Sequence, residues 1–293
     1  MLKYKNMLFF NYMLCLHIVH LSVIRSIIYK CKQGLFLWFF SKLCMAQSLV
    51  SYEQLPDWSG VWQMNGSTVF DASSVQPEGG RAGSAGVREF PPYNEEWEAI
   101  YEDNMEQVSL GRFPDPLSIC GTPAGYPRML NVPGAIEFVV RPEQVWILTE
   151  DGPSIARIYT DGRSHPPEDE IWPTYSGESV GYWEGDTLVF ETIGIKGKGD
   201  AIIDRTGLVL SVDARIKTEI RRVDISTMEA QIEITDSTAM TESWVVTKRY
   251  GKLEDGARMF DVACVENNRN PIDETGRTLT LDSQGNILDS GVN

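Results

Sequence analysis

Ser179-Val-Gly-Tyr-Trp-Glu-Gly-Asp-Thr-Leu-Val-Phe-Glu-Thr-Ile193 decides the fold. Strand-forming residues run up to Gly185-Asp186 and away from it. That pair makes a tight turn because Gly accepts positive φ and Asp bonds local backbone. The stretch therefore reads as an antiparallel hairpin. The period-two pattern recurs outward from it. Ile136, Phe138 and Val140 alternate with Glu137, Val139 and Arg141; Pro142 and Glu143 turn; Gln144 to Glu150 returns. Ser154 to Thr160 is a strand stopped by Asp161-Gly162. Further strands are expected at Ser59 to Met64, Gly207 to Val212, Arg215 to Val223, Met228 to Thr235, Ser243 to Tyr250 and Met259 to Glu266.

One segment has a helical period. Asn94 is a candidate N-cap, Glu95 and Glu96 favour the first turn, and Trp97, Ile100, Tyr101, Met105 and Val108 supply an apolar stripe ended by Gly111. Before it, residues 65–92 are rich in Gly, Ser and Pro and read as a long loop, not a domain linker. About ten short strands, tight turns and one helix at about 94–110 predict a mainly β domain over 47–293. The expected form is an antiparallel up-and-down barrel, whose closure removes exposed strand edges.

Composition agrees with this class. Of 293 residues, 42% are hydrophobic, and 25 Gly, 8 Trp and 11 Tyr suit a turn-rich, aromatic-rich β protein. With 26 basic and 41 acidic residues the formal charge is −15, which disfavours nucleic acid as a partner. Six of the bases and none of the acids lie in residues 1–46, so the remainder holds 20 bases against 41 acids, a net of −21.

Residues 1–46 thus form a separate physical class, a signal peptide or membrane anchor, and the true start could lie inside them. Leu8 to Ile24 is apolar but broken by Asn11, His17 and His20, which makes a weak anchor. Lys30 and Lys32, the apolar run Gly34 to Phe40, and Cys44-Met-Ala46 follow the order of a secretory signal cleaved after Ala46. The expected location is periplasmic or extracellular, with membrane contact only through this segment if it is retained. Cys120 and Cys264 are then the cysteines left in the mature chain. They form one disulfide, worth roughly 3 to 5 kcal/mol if unstrained, or are two buried thiols.

The mature chain's sole histidine is His165, and no Cys-x-x-Cys or His-x-x-x-His spacing occurs, so neither a metal nor another cofactor is expected. A nucleophile elbow and a phosphate loop are also missing. Tyr159, Asp161, Arg163 and His165 follow one strand closely. They offer a carboxylate-oriented imidazole as acid or base, with Arg163 for a developing anion. The alternative is a plain Asp161-Gly162 turn, an ordinary ion pair and a solvated histidine. The tryptophans, among them Trp146 and Trp183, are ligand-lining or core residues.

Several motifs together resemble a large family of exported, mostly uncharacterised bacterial proteins. They are Cys120-Gly-Thr-Pro-Ala-Gly-Tyr-Pro-Arg-Met129, Glu137 with Gln144-Val-Trp-Ile-Leu148, Tyr159-Thr-Asp-Gly-Arg163-x-His165-Pro166, Trp183-Glu-Gly-Asp-Thr-Leu-Val189 and Cys264-x-Glu266-Asn267. The resemblance spans roughly residues 56 to 268. Gly60-x-Trp62 is similar to the lipocalin signature, so the resemblance implies a calycin-like barrel with a central pocket and no settled reaction. Relatives often carry Gly-His-Ser where this chain has Gly177-Glu178-Ser179, and Pro-His-Ser where it has Val209-Leu210-Ser211. Any acid–base chemistry here falls to Glu178 with His165.

Three functions are therefore in competition. The first is binding of a small, largely apolar molecule in the barrel, oriented by Arg128, Glu137 and Tyr159 and lined by Trp146 and Trp183. The second is a cofactor-independent hydrolase, lyase or isomerase acting on a cyclic or aromatic metabolite through His165, Glu178, Asp161 and Arg163 or Arg128. The third is a structural or interaction role in the cell envelope.

Overall fold

The computed structural model describes residues 49–66, 68–74, 87–110, 112, 114–119, 122–198, 202–260 and 262, with a few isolated positions beyond. The leader, Cys120 and Cys264 lie outside the described residues.

Nine strands close into a barrel in chain order. They are β1 (Val61–Met64), β2 (Ala135–Val140), β3 (Gln144–Thr149), β4 (Ser154–Tyr159), β5 (Glu178–Glu184), β6 (Thr187–Ile193), β7 (Arg215–Asp224), β8 (Thr227–Thr235) and β9 (Trp244–Lys252). The single α-helix among the described residues, α1 (Glu95–Ser109), lies between β1 and β2. Asn94 Oδ1 accepts the Trp97 N–H at 3.1 Å, three glutamates occupy the first turn, and Trp97, Tyr101 and Val108 are buried.

The expected purely antiparallel meander is corrected at one seam. β4 and β5 pair in parallel, Ile158 with Ser179 and Tyr159 with Val180, whereas the other neighbours are antiparallel, including β1 with β9. The reason is parity. Nine strands that alternate in direction would meet at closure with β1 and β9 pointing the same way, so an antiparallel closure needs one parallel pair elsewhere. Parallel neighbours need a long crossover, and residues 160–177 provide it.

One expected strand, over 207–212, does not form as such. Leu208, Val209 and Leu210 are buried, but their segment makes only the isolated bridge Ile202 to Val209. Loop N–H groups reach the Leu208 and Leu210 carbonyls, from Ile203 and Lys198, and side chains serve much of the remaining backbone. Tyr93 Oη donates to the Val209 carbonyl and accepts its N–H, Asp204 Oδ1 accepts from Leu208 N, and Asp236 accepts from Ser211 N. Of the strand expected over 259–266, Met259, Phe260 and Val262 are described, Val262 in an isolated bridge to Asp151, and the rest of that expectation lies outside the described residues.

Inward-facing positions fill the barrel. Trp62, Ile136, Ile147, Ile158, Leu188, Ile216, Ile220, Met228, Ile232 and Tyr250 each show 0% exposure. Side chains lining a cavity would keep surface that a water could touch, and these have none. The β1–β2 connection plugs one end. Met129 and Leu130 are fully buried, the Tyr126 hydroxyl bonds that of Thr218, and Tyr250 Oη donates to the Leu130 carbonyl at 2.7 Å. Near the β5–β6 turn, Trp58 packs edge-on against Phe138 and Trp183 with centroids 5.3 and 5.1 Å away.

Candidate functional site

The crossover from β4 to β5 brings the acid–base candidates together. Gly162, at φ +80°, turns the chain back after Asp161, and Gly177, at φ +65°, turns it into β5. A Cβ on Gly177 would stand 2.7 Å from the Ile193 carbonyl oxygen, so glycine is required there for both reasons. Between these turns His165 folds onto the outer wall of the barrel, where its Nδ1 bonds Glu178 Oε2. Its Nε2 is buried, lies 3.5 Å from Glu191 Oε2 and makes no hydrogen bond. Arg215 from β7 holds Glu191 through two bonds of 3.2 and 2.6 Å.

Asp161 and Arg163 form a fork, with Nε to Oδ1 at 2.9 Å and Nη2 to Oδ2 at 2.7 Å. The guanidinium stands 3.9 Å above the Tyr159 ring. Hydrogen bonding from Arg163 lowers the Asp161 carboxyl below its ordinary range, and the same bond raises Arg163. An open groove of about 590 Å³ runs between Asp161, Gly162, Arg163, Ser164, Pro166 and Glu178. Thus Asp161, Arg163, His165, Glu178 and Tyr159 assemble on one face, outside the barrel.

The other proposed ligand residues do not converge. In the sheet register Trp146 pairs with the exposed Arg157, and Glu137 alternates with the inward Ile136 and Phe138, so both face the outer wall. Trp183 packs into the core on Trp58. Arg128 is buried at the plugged end, its Nη2 2.7 Å from Asp115 Oδ2 and its Nη1 donating to the carbonyls of Ile202 and Asp204.

A buried polar cluster near that end carries no motif in the sequence. Glu89 is fully buried and accepts the N–H groups of Phe70 and Asp71. Burial, with Asp204 beside it, pushes its carboxyl up to about 9. Lys248 donates to the Val69 carbonyl at 2.5 Å, and burial brings its ammonium down to about 8 against the pull of Glu89, Asp204 and Asp71. Among the described residues no group of three or more His, Cys, Asp or Glu side chains is arranged to hold a metal ion.

Comparison with models of protein families and with curated proteins gave no match.

Proposed function

We propose that this protein is exported and transfers a proton on a small cyclic or aromatic metabolite bearing an anionic group, held in the outer-wall groove. The observation that carries the reading is the meeting of His165 with Glu178 beside Arg163, side chains from a loop and a strand that fold onto one another. Glu178 lines the groove and is the group that meets the substrate; His165 orients its carboxylate from behind. Arg163 is held in place by Asp161 and Tyr159, and its Nη1 makes none of those bonds, which leaves it to meet a developing oxyanion. Isomerisation needs only that Glu178 remove a proton from one carbon and return it to another. Binding of an apolar molecule on the barrel axis has less support, because the inward side chains leave no surface for it.

Hydrogen–deuterium exchange tests the step whatever the product is. The full chain is incubated in heavy water with a panel of cyclic and aromatic carboxylates, and exchange at carbon is followed by NMR. Exchange by the wild type should fall by about a hundredfold or more in Glu178→Gln. Equal exchange by both proteins, or none by either, sinks the proposal. Export is supported by the charge, apolar run and small residues before residue 47 and by the pair Cys120 and Cys264. Intact-mass analysis of the chain from its own envelope should find a start at residue 47. The mass should be two hydrogens below that of the reduced sequence.

A further inference from the structure

The chain contains one Asn-Gly pair, Asn65-Gly66, and the fold leaves it at the surface just where β1 ends. Both residues are exposed. An asparagine amide is chemically labile when the backbone nitrogen of the next residue can reach its Cγ. Three observations put Asn65 in that position.

Gly66 brings no side chain to the approach, and its surroundings are open, since a Cβ built on it would meet nothing within 4 Å. Among the described residues, neither its N–H nor the Asn65 carboxamide makes a hydrogen bond. The asparagines of the helix and the plugged end are held instead. Asn94 accepts the Trp97 N–H and donates to the Thr238 carbonyl, and Nδ2 of Asn104 and of Asn131 donates at 2.7 Å to the carbonyls of Gly207 and Thr68. Each is also followed by a residue whose side chain crowds the attack, Glu95, Met105 or Val132.

We propose that Asn65 is a site of spontaneous covalent modification, converted in the folded protein to aspartate and isoaspartate, and that the isoaspartate form loosens residues 68–71 from the barrel. The Gly66 nitrogen gives its proton to solvent and attacks Asn65 Cγ. The bond from Cγ to Nδ2 breaks, and the side-chain nitrogen takes a proton from solvent and leaves as ammonia. Water then opens the succinimide ring at one carbonyl to give aspartate, or at the other to give isoaspartate, whose main chain runs through Cβ and Cγ.

Isoaspartate lengthens the backbone between two anchored points. Asn65 N–H donates to the Arg249 carbonyl at 2.7 Å. Beyond it, Asn131 and Lys248 donate to the Thr68 and Val69 carbonyls, and Glu89 accepts the N–H groups of Phe70 and Asp71. The added carbon has to be absorbed against those bonds.

The full chain is aged in mildly alkaline heavy-oxygen water, folded or unfolded in guanidinium chloride, and peptide mapping by mass spectrometry follows each asparagine. In the folded protein Asn65 should convert first, give both products, gain heavy oxygen and react within about tenfold of its rate in the unfolded chain, because an exposed site needs little opening. The converted protein should melt below the fresh protein. Asn65→Gln, whose longer side chain closes a ring slowly, should neither convert nor lose stability on ageing. A rate slowed by folding more than about tenfold, earlier conversion of Asn94, Asn104 or Asn131, or an unchanged melt of the converted protein would overturn the proposal.

Discussion

Glu89 shows how a single residue sets a property of the whole chain. Its carboxyl is raised from 4.5 to about 9 by burial and by Asp204, so the folded protein holds a proton that the unfolded chain releases above about pH 4.5. The resulting stability is complete below that value and is lost as pH rises toward 9, at no more than about 1.4 kcal/mol per pH unit. Lys248, lowered from 10.5 to about 8, works in the opposite sense only above pH 8. Denaturant melts of wild type and Glu89→Gln between pH 5 and 8 should show the variant gaining on the wild type as pH rises. A constant difference would mean that the buried pair is not proton-linked. Nothing in Arg88-Glu89-Phe90 announces this role, since burial of Glu89 is imposed by partners distant in sequence. Gly177 is different. A glycine before a strand signals a turn, but why Cβ is forbidden becomes visible only with the Ile193 carbonyl beside it.

At the scale of elements, α1 and the hairpins are legible because their patterns are local. The helix begins where Asn94 predicts, and that side chain does more than cap, since Nδ2 also donates to the Thr238 carbonyl at 2.8 Å. Asn94→Ala should cost about 1 to 2 kcal/mol, and Asn94→Asp, which keeps the acceptor for Trp97 N–H, should cost less. Thermal melts of both variants would check the order. The run Leu208-Val-Leu210 reads as a strand yet forms none, for a physical reason. Periodicity reports burial, and here burial comes from loop backbone served by Tyr93, Asp204 and Asp236 in place of a neighbouring strand. The parallel β4–β5 pair is equally hidden, since strand direction is set by closure of the ring and not by any one strand.

For the whole molecule, the decisive feature is that the long β1–β2 connection enters the barrel and fills its end. Leu130, with no exposed surface, should cost about 2 to 5 kcal/mol when cut to Ala; Tyr250→Phe should cost about 1 kcal/mol through loss of the bond to the Leu130 carbonyl. Equilibrium unfolding in urea would measure both, and a negligible loss at Leu130 would show that the plug is not part of the stable core. The amino-acid sequence by itself determined the β class, helix α1, most strands and the grouping of Tyr159, Asp161, Arg163 and His165. Each of these follows from spacing along the chain. Only the tertiary structure decided that the barrel is filled, that the His165–Glu178 pair lies on its outer wall, and that Glu89 and Lys248 are buried together. Those outcomes depend on which faces meet across long sequence separations, and no local pattern encodes them.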